Sequence, residues 1–317
     1  MALHKKFGKS DLMVAPIAFG GNVFGWTLNE QESFKILDAF NGSGFNFIDT
    51  ADSYSTWIPG NSGGESETII GNWLQKRGRR DDVIIATKLG VEMGENKKGL
   101  SAKYISEAVE ASLKRLKTEY IDLYQSHYDD PETPVSETME AFDKLIKEGK
   151  VRYIGASNLS AARISESNEF ARENNFSPYI SLQPLYNLFD RYTFEKEYQQ
   201  LVEKEGLAVM NYYALASGFL TGKYRSEDDL NKSQRGGGVK QYLNERGFRI
   251  LKAMDKVAET HDVPLSQIAL AWLMNKPYIT TPIASATNEK QLKELVSAAD
   301  LTLNAADMEI LDKASKV

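Results

Sequence analysis

Short apolar segments rich in valine, isoleucine and phenylalanine alternate along the chain with longer segments whose apolar residues recur every three or four positions. The first pattern is typical of buried β-strands and the second of amphipathic α-helices. Strands are predicted at residues 14–19, 45–49, 83–88, 121–127, 151–157, 179–184, 207–213 and 278–285. Helices are predicted at residues 30–41, 65–76, 101–117, 135–147, 161–173, 194–204, 245–261 and 288–298.

Residues at the ends of the predicted helices support these boundaries. Ser101 and Asn288 stand at the start of helical segments, where a side-chain oxygen can accept a hydrogen bond from a free amide of the first turn. Gly78 and Gly206 follow helical segments, at the position where a left-handed residue often ends a helix.

The order of the elements predicts an α/β fold. A strand followed by a helix, repeated eight times, implies right-handed crossovers and a parallel sheet. Eight such units favour an eight-stranded (β/α)8 TIM barrel over an open doubly wound sheet. Since no compositional break divides the 317 residues, we expect residues 1–317 to form a single barrel domain with its active site at the C-terminal face.

The least regular stretch, residues 221–242, follows the seventh predicted strand and includes the run Gly236-Gly-Gly238. Loops in this position border the active face of a barrel. The glycines are compatible with flexible filler and with a lid over a cofactor, and the sequence leaves both open.

Composition narrows the classes of partner. A net charge of -6 provides no basic field for nucleic acid. The chain has no cysteine, which excludes disulfides, thiolate zinc sites and a thiol nucleophile. The first residues lack the apolar core of a signal peptide, and no apolar run reaches the ~20 residues of a membrane span. We therefore expect a cytoplasmic protein without nucleic-acid or membrane partners.

Four ionisable side chains stand at the ends of three consecutive predicted strands. Asp49, Lys88 and His127 end the second, third and fourth strands, and Tyr54 follows Asp49 by five residues. Each alone has a structural explanation: a turn cap, a solvated lysine, a core histidine or a surface tyrosine. Because barrel enzymes carry reactive groups at the carboxyl ends of strands, their joint occurrence predicts an active site.

These residue types suit carbonyl reduction. A free phenol has a pKa near ~10, and we expect Lys88 to lower the pKa of Tyr54. Asp49 would hold Lys88 in place and balance its charge, while His127 would orient a carbonyl oxygen. Tyr54 is then predicted to act as general acid while the carbonyl carbon accepts a hydride. No side chain supplies a hydride, so a nicotinamide cofactor is required.

Other chemistries fit less well. The sequence has neither the G-x-G-x-x-G nor the G-x-x-x-x-G-K-[ST] phosphate motif. It has no H-E-x-x-H pattern, and three scattered histidines predict no metal site. The segment GASN at 155–158 differs from a nucleophile elbow.

An ordered series of motifs resembles the aldo-keto reductase family. FIDTADSY at 47–54, followed by GESE at 64–67, is similar to the family signature, and ATK at 86–88, DLYQSH at 122–127, GASN and GFLTGK at 218–223 follow at the family's spacing. The resemblance runs from Phe7 to about Ala298. It implies a (β/α)8 barrel and an NADPH-preferring carbonyl reductase acting on a small-molecule carbonyl substrate. It also implies a catalytic tetrad of Asp49, Tyr54, Lys88 and His127.

The resemblance further implies an NADP(H) site without a Rossmann fold, with NAD(H) open as a second cofactor. Ser157, Asn158 and Gln183 match the family residues that hydrogen-bond the nicotinamide carboxamide, and Tyr212 would stack on the ring. Gly21 and Asn22 match the first-strand loop that meets the cofactor, and Asp49 is a further cofactor-binding candidate. Those that match the pyrophosphate segment are Leu215, Ser217 and Lys223. Those that match the adenosine end are Ser285, Thr287, Gln291 and Glu294.

The chain departs from the family pattern in two places. Tyr212-Tyr-Ala-Leu215 replaces the usual Tyr-Ser-Pro-Leu. Near the last helix, Ser285 stands where many members have glycine, and Gln291 stands near a position that is often basic. Lys290 and Arg235 offer charge for a 2′-phosphate. We therefore expect only a modest preference for NADPH.

Two alternatives remain open at this stage. The same fold occurs in channel-associated β subunits, which would bind a cofactor in a regulatory role; that branch tends to lack a histidine at the position of His127. A lysine at a barrel-strand end is also the signature of Schiff-base aldolases, with Lys88 as nucleophile. Phe24, Trp26 and Trp57 suggest an apolar-walled mouth or simple loop packing. The sequence predicts neither the physiological substrate nor the oligomeric state.

Overall fold

The computed structural model describes residues 4–95, 97–234 and 236–316. Within these residues, two short strands pair antiparallel and eight strands form one parallel sheet in the spatial order β10-β3-β4-β5-β6-β7-β8-β9. The strands are β1 (Lys5–Lys6), β2 (Met13–Val14), β3 (Ala18–Gly20), β4 (Phe47–Asp49), β5 (Ile84–Leu89), β6 (Ile121–Ser126), β7 (Val151–Ser157), β8 (Tyr179–Gln183), β9 (Ala208–Val209) and β10 (Ile283–Ala284).

Backbone hydrogen bonds bring the two edges of the parallel sheet together. The amide of Thr281 donates to the carbonyl of Val209 over 3.1 Å, and the amide of Ile283 donates to the carbonyl of Asn211 over 3.0 Å. These bonds join the chain around β9 to the chain around β10, which pairs in turn with β3. The predicted (β/α)8 barrel is therefore confirmed.

Helices follow the barrel strands and cover their outer surface. They are α1 (Glu30–Gly42), α2 (Glu65–Arg77), α3 (Ala102–Leu116), α4 (Val135–Lys147), α5 (Ala161–Glu173), α6 (Gln199–Glu205), α7 (Glu245–His261), α8 (Leu265–Met274), α9 (Glu289–Ser297) and α10 (Ala305–Ser315). A π-helical turn, Phe194–Tyr198, leads into α6. The predicted caps are present, since Ser101 accepts from the amide of Tyr104 and Asn288 from that of Gln291. In the part of the chain that the structure describes, no helix has the length and apolarity to cross a bilayer.

Residues 14–19 do not form the single strand that their apolar pattern predicts. Residues Met13–Val14 pair antiparallel with Lys5–Lys6, and only Ala18–Gly20 belongs to the barrel. Pro16 lies between the two pieces and has no amide hydrogen for a ladder. The hairpin closes the amino end of the barrel, where Phe7 packs edge-on against Phe47 with ring centroids 5.4 Å apart.

The alternation of side chains along each strand decides what the barrel interior contains. On β5, Ile84 and Ala86 belong to the inner apolar cluster, and Lys88 continues the same face toward the carboxyl end. On β6, Leu123 belongs to that cluster and Gln125 follows two residues later. The interior is therefore apolar at its amino end and polar at its carboxyl end.

Candidate active site

Lys88 is the centre of the polar layer at the carboxyl end of the barrel. Its side chain is fully buried, and its Nζ donates to Asp49 Oδ2 over 2.8 Å, to the Tyr54 hydroxyl over 2.8 Å and to the Thr50 carbonyl over 2.7 Å. An ammonium group has three protons to donate, so each has an acceptor. The structure thus brings together three of the four predicted catalytic residues at hydrogen-bond distance.

Asp49, 1% exposed, accepts hydrogen bonds on both oxygens. Besides Lys88, the amide groups of Gln183 and Gln125 donate to its Oδ1 over 2.9 and 3.3 Å. Gln125 was not among the predicted site residues. It stands two residues before His127 on the same strand, so the alternation of side chains was a signal that would have placed it in this layer.

The expected lowering of the Tyr54 pKa is wrong for this structure. Burial and the negative charge of Asp49 raise the pKa of the Tyr54 hydroxyl well above its usual value. Burial also lowers the pKa of Lys88, against the opposing effect of Asp49. Desolvation penalises the charged form of both groups, and for Lys88 it outweighs the attraction of the nearby carboxylates. Tyr54 therefore stays protonated at neutral pH and is able to donate a proton.

His127 directly follows β6 and lies beside Tyr54, with ring centroids 6.1 Å apart. Its backbone amide donates to the carbonyl of Leu89 over 2.9 Å, which anchors the residue to the neighbouring strand. Burial and the charge of Lys88 lower the pKa of His127 well below its usual value, so the imidazole is neutral. Its Nδ1 is buried without a hydrogen-bond partner among residues 4–95, 97–234 and 236–316.

The predicted nicotinamide contacts lie beside this constellation. Asn158 joins its neighbours: its Nδ2 donates to the carbonyl of His127 over 3.0 Å, and its Oδ1 accepts from the Tyr212 hydroxyl over 3.0 Å. The Ser157 hydroxyl donates to the carbonyl of Gln183 over 2.9 Å. These four predicted residues thus form one connected group on β7, β8 and the segment after β9.

The predicted pyrophosphate residues surround an unusual stretch of backbone. Leu215 precedes a 3-10 turn, Ala216–Thr221, in which Ala216, Ser217 and Gly218 have φ values of 47°, 57° and 98°. Such left-handed conformations are costly for residues with a side chain and tend to mark functional sites. The Lys223 ammonium lies 5.0 Å from the centre of the Tyr224 ring.

The irregular stretch at 221–242 contains two further 3-10 turns, Glu227–Lys232 and Gly236–Tyr242. Tyr242 is buried, and its hydroxyl donates to Asp190 over 2.9 Å. The end of this stretch is therefore anchored to the loop after β8. Whether it covers a cofactor stays a prediction.

Polar residues predicted for the adenosine end lie near the first barrel strand. Ser285 donates to the Gly20 carbonyl over 2.7 Å and to Asn22 Oδ1 over 2.8 Å, and Asn22 lies with Gly21 on the turn Gly21–Val23. Thr287 donates to Gln291 Oε1 through both its amide and its hydroxyl.

Glu294, the fourth member of the predicted adenosine set, is placed differently from the other three. Glu294 accepts from the hydroxyl of Ser266 on α8 over 3.1 Å, so this carboxylate is tied to a neighbouring helix. Lys290 is exposed on α9. Arg235, the other basic candidate, lies outside the described residues.

Aromatic side chains border the mouth near Tyr54. The Trp57 ring lies 6.2 Å from Tyr54 and 5.6 Å from Trp26, and 48% of Trp57 is exposed. On the other side, Tyr128 stacks on His127 and is 52% exposed. Phe24 does not contribute, because it is fully buried against Phe19 in the core.

Comparisons with known proteins agree with this geometry. The model of the Aldo/keto reductase family matches residues 16–316. The chain is 34% identical to a probable voltage-gated potassium channel subunit beta of Oryza sativa subsp. japonica, over 99% of this chain and 96% of that protein. It is 33% identical to Aldo-keto reductase AFTS1 of Alternaria alternata, over 99% and 92%, and 30% identical to Aryl-alcohol dehydrogenase GME11368 of Pestalotiopsis microspora, over 96% and 79%. The chain belongs to the aldo/keto reductase family.

Proposed function

We propose that this protein reduces an aldehyde or ketone to an alcohol with NADPH as hydride donor and Tyr54 as general acid. The observation that carries the proposal is the position of the buried Lys88 ammonium, 2.8 Å from both the Asp49 carboxylate and the Tyr54 hydroxyl. A protonated phenol whose oxygen accepts a hydrogen bond from a cation can release its proton with less build-up of negative charge.

The residues around the mouth fit a nicotinamide dinucleotide. Asn158 and Gln183 carry amides of the kind that pair with a carboxamide, and Tyr212 offers an aromatic face beside them. In the left-handed run at 216–218 the amides of Ala216 and Gly218 already donate to the carbonyls of Tyr213 and Leu215. The proposed pyrophosphate contacts are therefore the Ser217 hydroxyl and the Lys223 ammonium. When bound there, the reduced nicotinamide supplies the hydride.

The protein's own part in the reaction is to hold the carbonyl group and to deliver a proton to its oxygen. The Tyr54 hydroxyl accepts a hydrogen bond from Lys88 and donates one to the carbonyl oxygen of the substrate. The negative charge that develops on that oxygen is then neutralised by the Tyr54 proton. His127, being neutral, donates one hydrogen bond to the same oxygen and adds no charge. Asp49 balances Lys88 inside the dry interior of the barrel.

The aromatic border favours substrates with an apolar or aromatic group beside the carbonyl. Trp57 and Tyr128 each keep about half of their surface exposed at the mouth, and covering such faces stabilises a bound ligand. One relative at 30% identity is named as an aryl-alcohol dehydrogenase, which agrees with this substrate class.

Two other functions are supported by specific observations. The similarity to proteins named as potassium channel β subunits favours a cofactor-binding regulatory subunit. The desolvated Lys88, whose pKa is lowered by burial, has the character of a Schiff-base nucleophile. Carbonyl reduction accounts for more of the site, because it uses Asp49, Tyr54 and His127 as well.

The test is NADPH oxidation with a panel of aldehydes that includes benzaldehyde and propanal, using the wild-type chain and Tyr54→Phe. We expect turnover by the wild type with the aromatic aldehyde preferred. We expect at least a ~10²-fold lower kcat for Tyr54→Phe, the usual scale for a lost general acid. Cofactor binding, measured by the change in NADPH fluorescence, should be the same for both proteins.

Two other outcomes would indicate another function, and a third would contradict the role of Tyr54. Tight NADPH binding without turnover of any aldehyde indicates the regulatory role. Covalent trapping of a carbonyl compound on Lys88 by borohydride, abolished by Lys88→Met, indicates the aldolase. Turnover by Tyr54→Phe at the wild-type rate contradicts the assignment of the proton donor.

A further inference from the structure

Asp52 is a buried carboxyl group that the proposed reaction does not use. It lies on the loop between Asp49 and Tyr54, is 1% exposed, and its backbone amide donates to the carbonyl of Lys88 over 3.1 Å. Neither carboxyl oxygen has a hydrogen-bond partner among the described residues. The Ser53 amide lies close enough to favour the charged form slightly, but it does not reach hydrogen-bond geometry.

Two phenol hydroxyls in the same region are also without partners. The hydroxyls of Tyr104 on α3 and Tyr124 on β6 are buried and make no hydrogen bond within residues 4–95, 97–234 and 236–316. The charge of Asp52 is one cause of the raised pKa of each. Three buried polar groups with unused hydrogen-bonding capacity, on the loop after β4, on α3 and on β6, therefore lie within electrostatic reach of one another.

Charged groups on three neighbouring elements surround Asp52. The charged groups that act on the pKa of Asp52 are Glu67 on α2, Arg115 on α3 and Lys88 on β5. Asp52 in turn acts on Tyr104 of α3 and Tyr124 of β6.

The two cations among these neighbours already have carboxylate partners. Arg115 is bound to Glu67 over 2.6 Å, and Lys88 is bound to Asp49 over 2.8 Å. The other carboxylate oxygen of Glu67, Oε1, accepts a hydrogen bond from the Thr87 hydroxyl. Asp52 thus has a nearby anion and no cation of its own, and burial together with Glu67 raises its pKa well above the usual value.

An unpaired carboxylate in such a place is costly, and a buried acid in that situation binds a proton instead. A neutral carboxyl group still needs hydrogen-bond partners, and so do two phenols. Buried water commonly satisfies about three such groups at once. We propose that Asp52 is a protonated positioning residue: its neutral carboxyl binds buried water together with Tyr104 and Tyr124 and leaves Asp49 as the carboxylate that balances Lys88.

The consequence for the active site concerns charge and position. An ionised Asp52 would be a second anion near Lys88 and would compete with Asp49 for its charge. A neutral Asp52, tied by water to α3 and β6, steadies the loop that ends at Tyr54 without altering the field at the phenol. This role rests on the proposed reductase function, whereas the protonation state and the water site do not.

The first test compares Asp52→Asn with Asp122→Asn, the same change at a carboxylate that is also 1% exposed but binds Arg80 and Arg152. An acid whose pKa is higher in the folded chain than in the unfolded chain destabilises the fold as pH rises above the unfolded value. The melting temperature of Asp52→Asn minus that of the wild type should therefore increase by about 2 °C for each pH unit above pH ~4. That of Asp122→Asn should fall by roughly 5 °C.

Infrared spectroscopy reads the proton directly. At neutral pH the wild type should show the carbonyl band of a protonated carboxylic acid, and Asp52→Asn should lack it. Absence of the band, or an Asp52→Asn protein as destabilised as Asp122→Asn, overturns the protonated state. A crystal structure at high resolution should show ordered water between Asp52, Tyr104 and Tyr124; direct contacts without water overturn the water site.

The positioning role has its own readout in the reductase assay. Asp52→Asn should keep the pH profile of kcat, whereas loss of an ionised group would move its alkaline limb to lower pH. Asp52→Leu, which cannot bind the water, should lower kcat about tenfold with an unchanged KM for NADPH. A wild-type kcat in Asp52→Leu, or a shifted profile in Asp52→Asn, overturns this role. If no aldehyde is turned over, the reductase proposal fails while the spectroscopic and thermal results still decide the state of Asp52.

Discussion

A buried carboxylate is held by cations at each end of the barrel, and the two arrangements differ. Toward the amino end, Asp122 accepts from Arg80 over 2.6 Å and from Arg152 over 2.8 Å. At the carboxyl end, Asp49 accepts from Lys88 over 2.8 Å. Both carboxylates are almost completely buried. Two guanidinium groups, which also donate to other acceptors, hold the carboxylate at the amino end, whereas a single ammonium holds the one at the carboxyl end.

The choice of cation separates a structural ion pair from a reactive one. A guanidinium keeps its proton in proteins, so the two ion pairs of Asp122 have a fixed charge. An ammonium changes its pKa readily when buried. Lys88 also donates a hydrogen bond to the Tyr54 hydroxyl, which is not part of the ion pair. That third contact is what connects the carboxyl-end pair to chemistry.

Removing the lysine should have the largest effect. Lys88→Met leaves Asp49 as a buried, unpaired charge, which commonly costs about 3–5 kcal/mol when burial is deep. We expect a decrease of that size in the free energy of unfolding, measured by urea denaturation of the cofactor-free protein, together with loss of reductase activity. Tyr54→Phe should lose activity at unchanged stability.

Arg152→Met is the matched change at the other end. Asp122 keeps Arg80 and the amide of Ile85 as partners, so the loss should stay near about 1.5–2 kcal/mol, the scale of a hydrogen bond to a charged group. Activity should not change. Equal losses of stability in Arg152→Met and Lys88→Met would mean that Asp49 does not depend on Lys88 more than Asp122 depends on Arg152. The proposed difference between the two ends of the barrel would then be wrong.

The pH dependence of reduction tests the charge of the carboxyl-end pair. Reduction needs protonated Tyr54, whose pKa is raised by burial and by Asp49. Asp49→Asn removes a negative charge and thereby lowers the pKa of Tyr54. The alkaline fall in kcat of the residual activity should then begin about one pH unit lower than in the wild type. A profile that moves upward or does not move would mean that Asp49 does not act on the phenol.

The smallest expected effect concerns the cofactor. Residues 280–300 contain no arginine, so no fixed guanidinium of the kind that holds Asp122 comes from this segment to meet a 2′-phosphate. In the proposed cofactor site, hydroxyl and amide groups at Ser285, Thr287 and Gln291, with the start of α9, would bind a phosphate and would also tolerate a ribose hydroxyl.

We expect kcat/KM with NADPH to exceed that with NADH about tenfold, or ~1.4 kcal/mol, on one good aldehyde. A ratio above about a thousand would indicate a phosphate-binding arginine elsewhere in the chain. A ratio below one would make the enzyme NADH-dependent.

Much of the fold followed from periodicity. Helices α4, α5 and α7 have the predicted bounds, because each has one apolar face and clear end signals. Helix α8 was not predicted, since LSQIALAWLM is buried almost all round and shows little amphipathic pattern. Residues 14–19 were assigned to one strand because an apolar run does not reveal which partner each half will pair with.

The candidate site followed from position along the strands. Asp49, Lys88 and His127 were placed at one mouth because parallel strands end on the same side of a barrel. Gln125 was missed although it shares their face on a correctly predicted strand. For Phe24 the sequence left mouth lining and simple loop packing open, and the residue packs against Phe19 in the core.

The sequence by itself determined the alternation of strands and helices and the placement of Asp49, Lys88 and His127 at one end of the barrel. Those features depend on local periodicity and chain direction. The tertiary structure decided that Tyr54 is protonated, that His127 is neutral and that the carboxyl group of Asp52 has no hydrogen-bond partner among the described residues. A pKa depends on desolvation and on the distances to charges from other strands and helices. These quantities exist only after Glu67, Lys88 and Arg115, which are far apart in sequence, have been packed around the same loop.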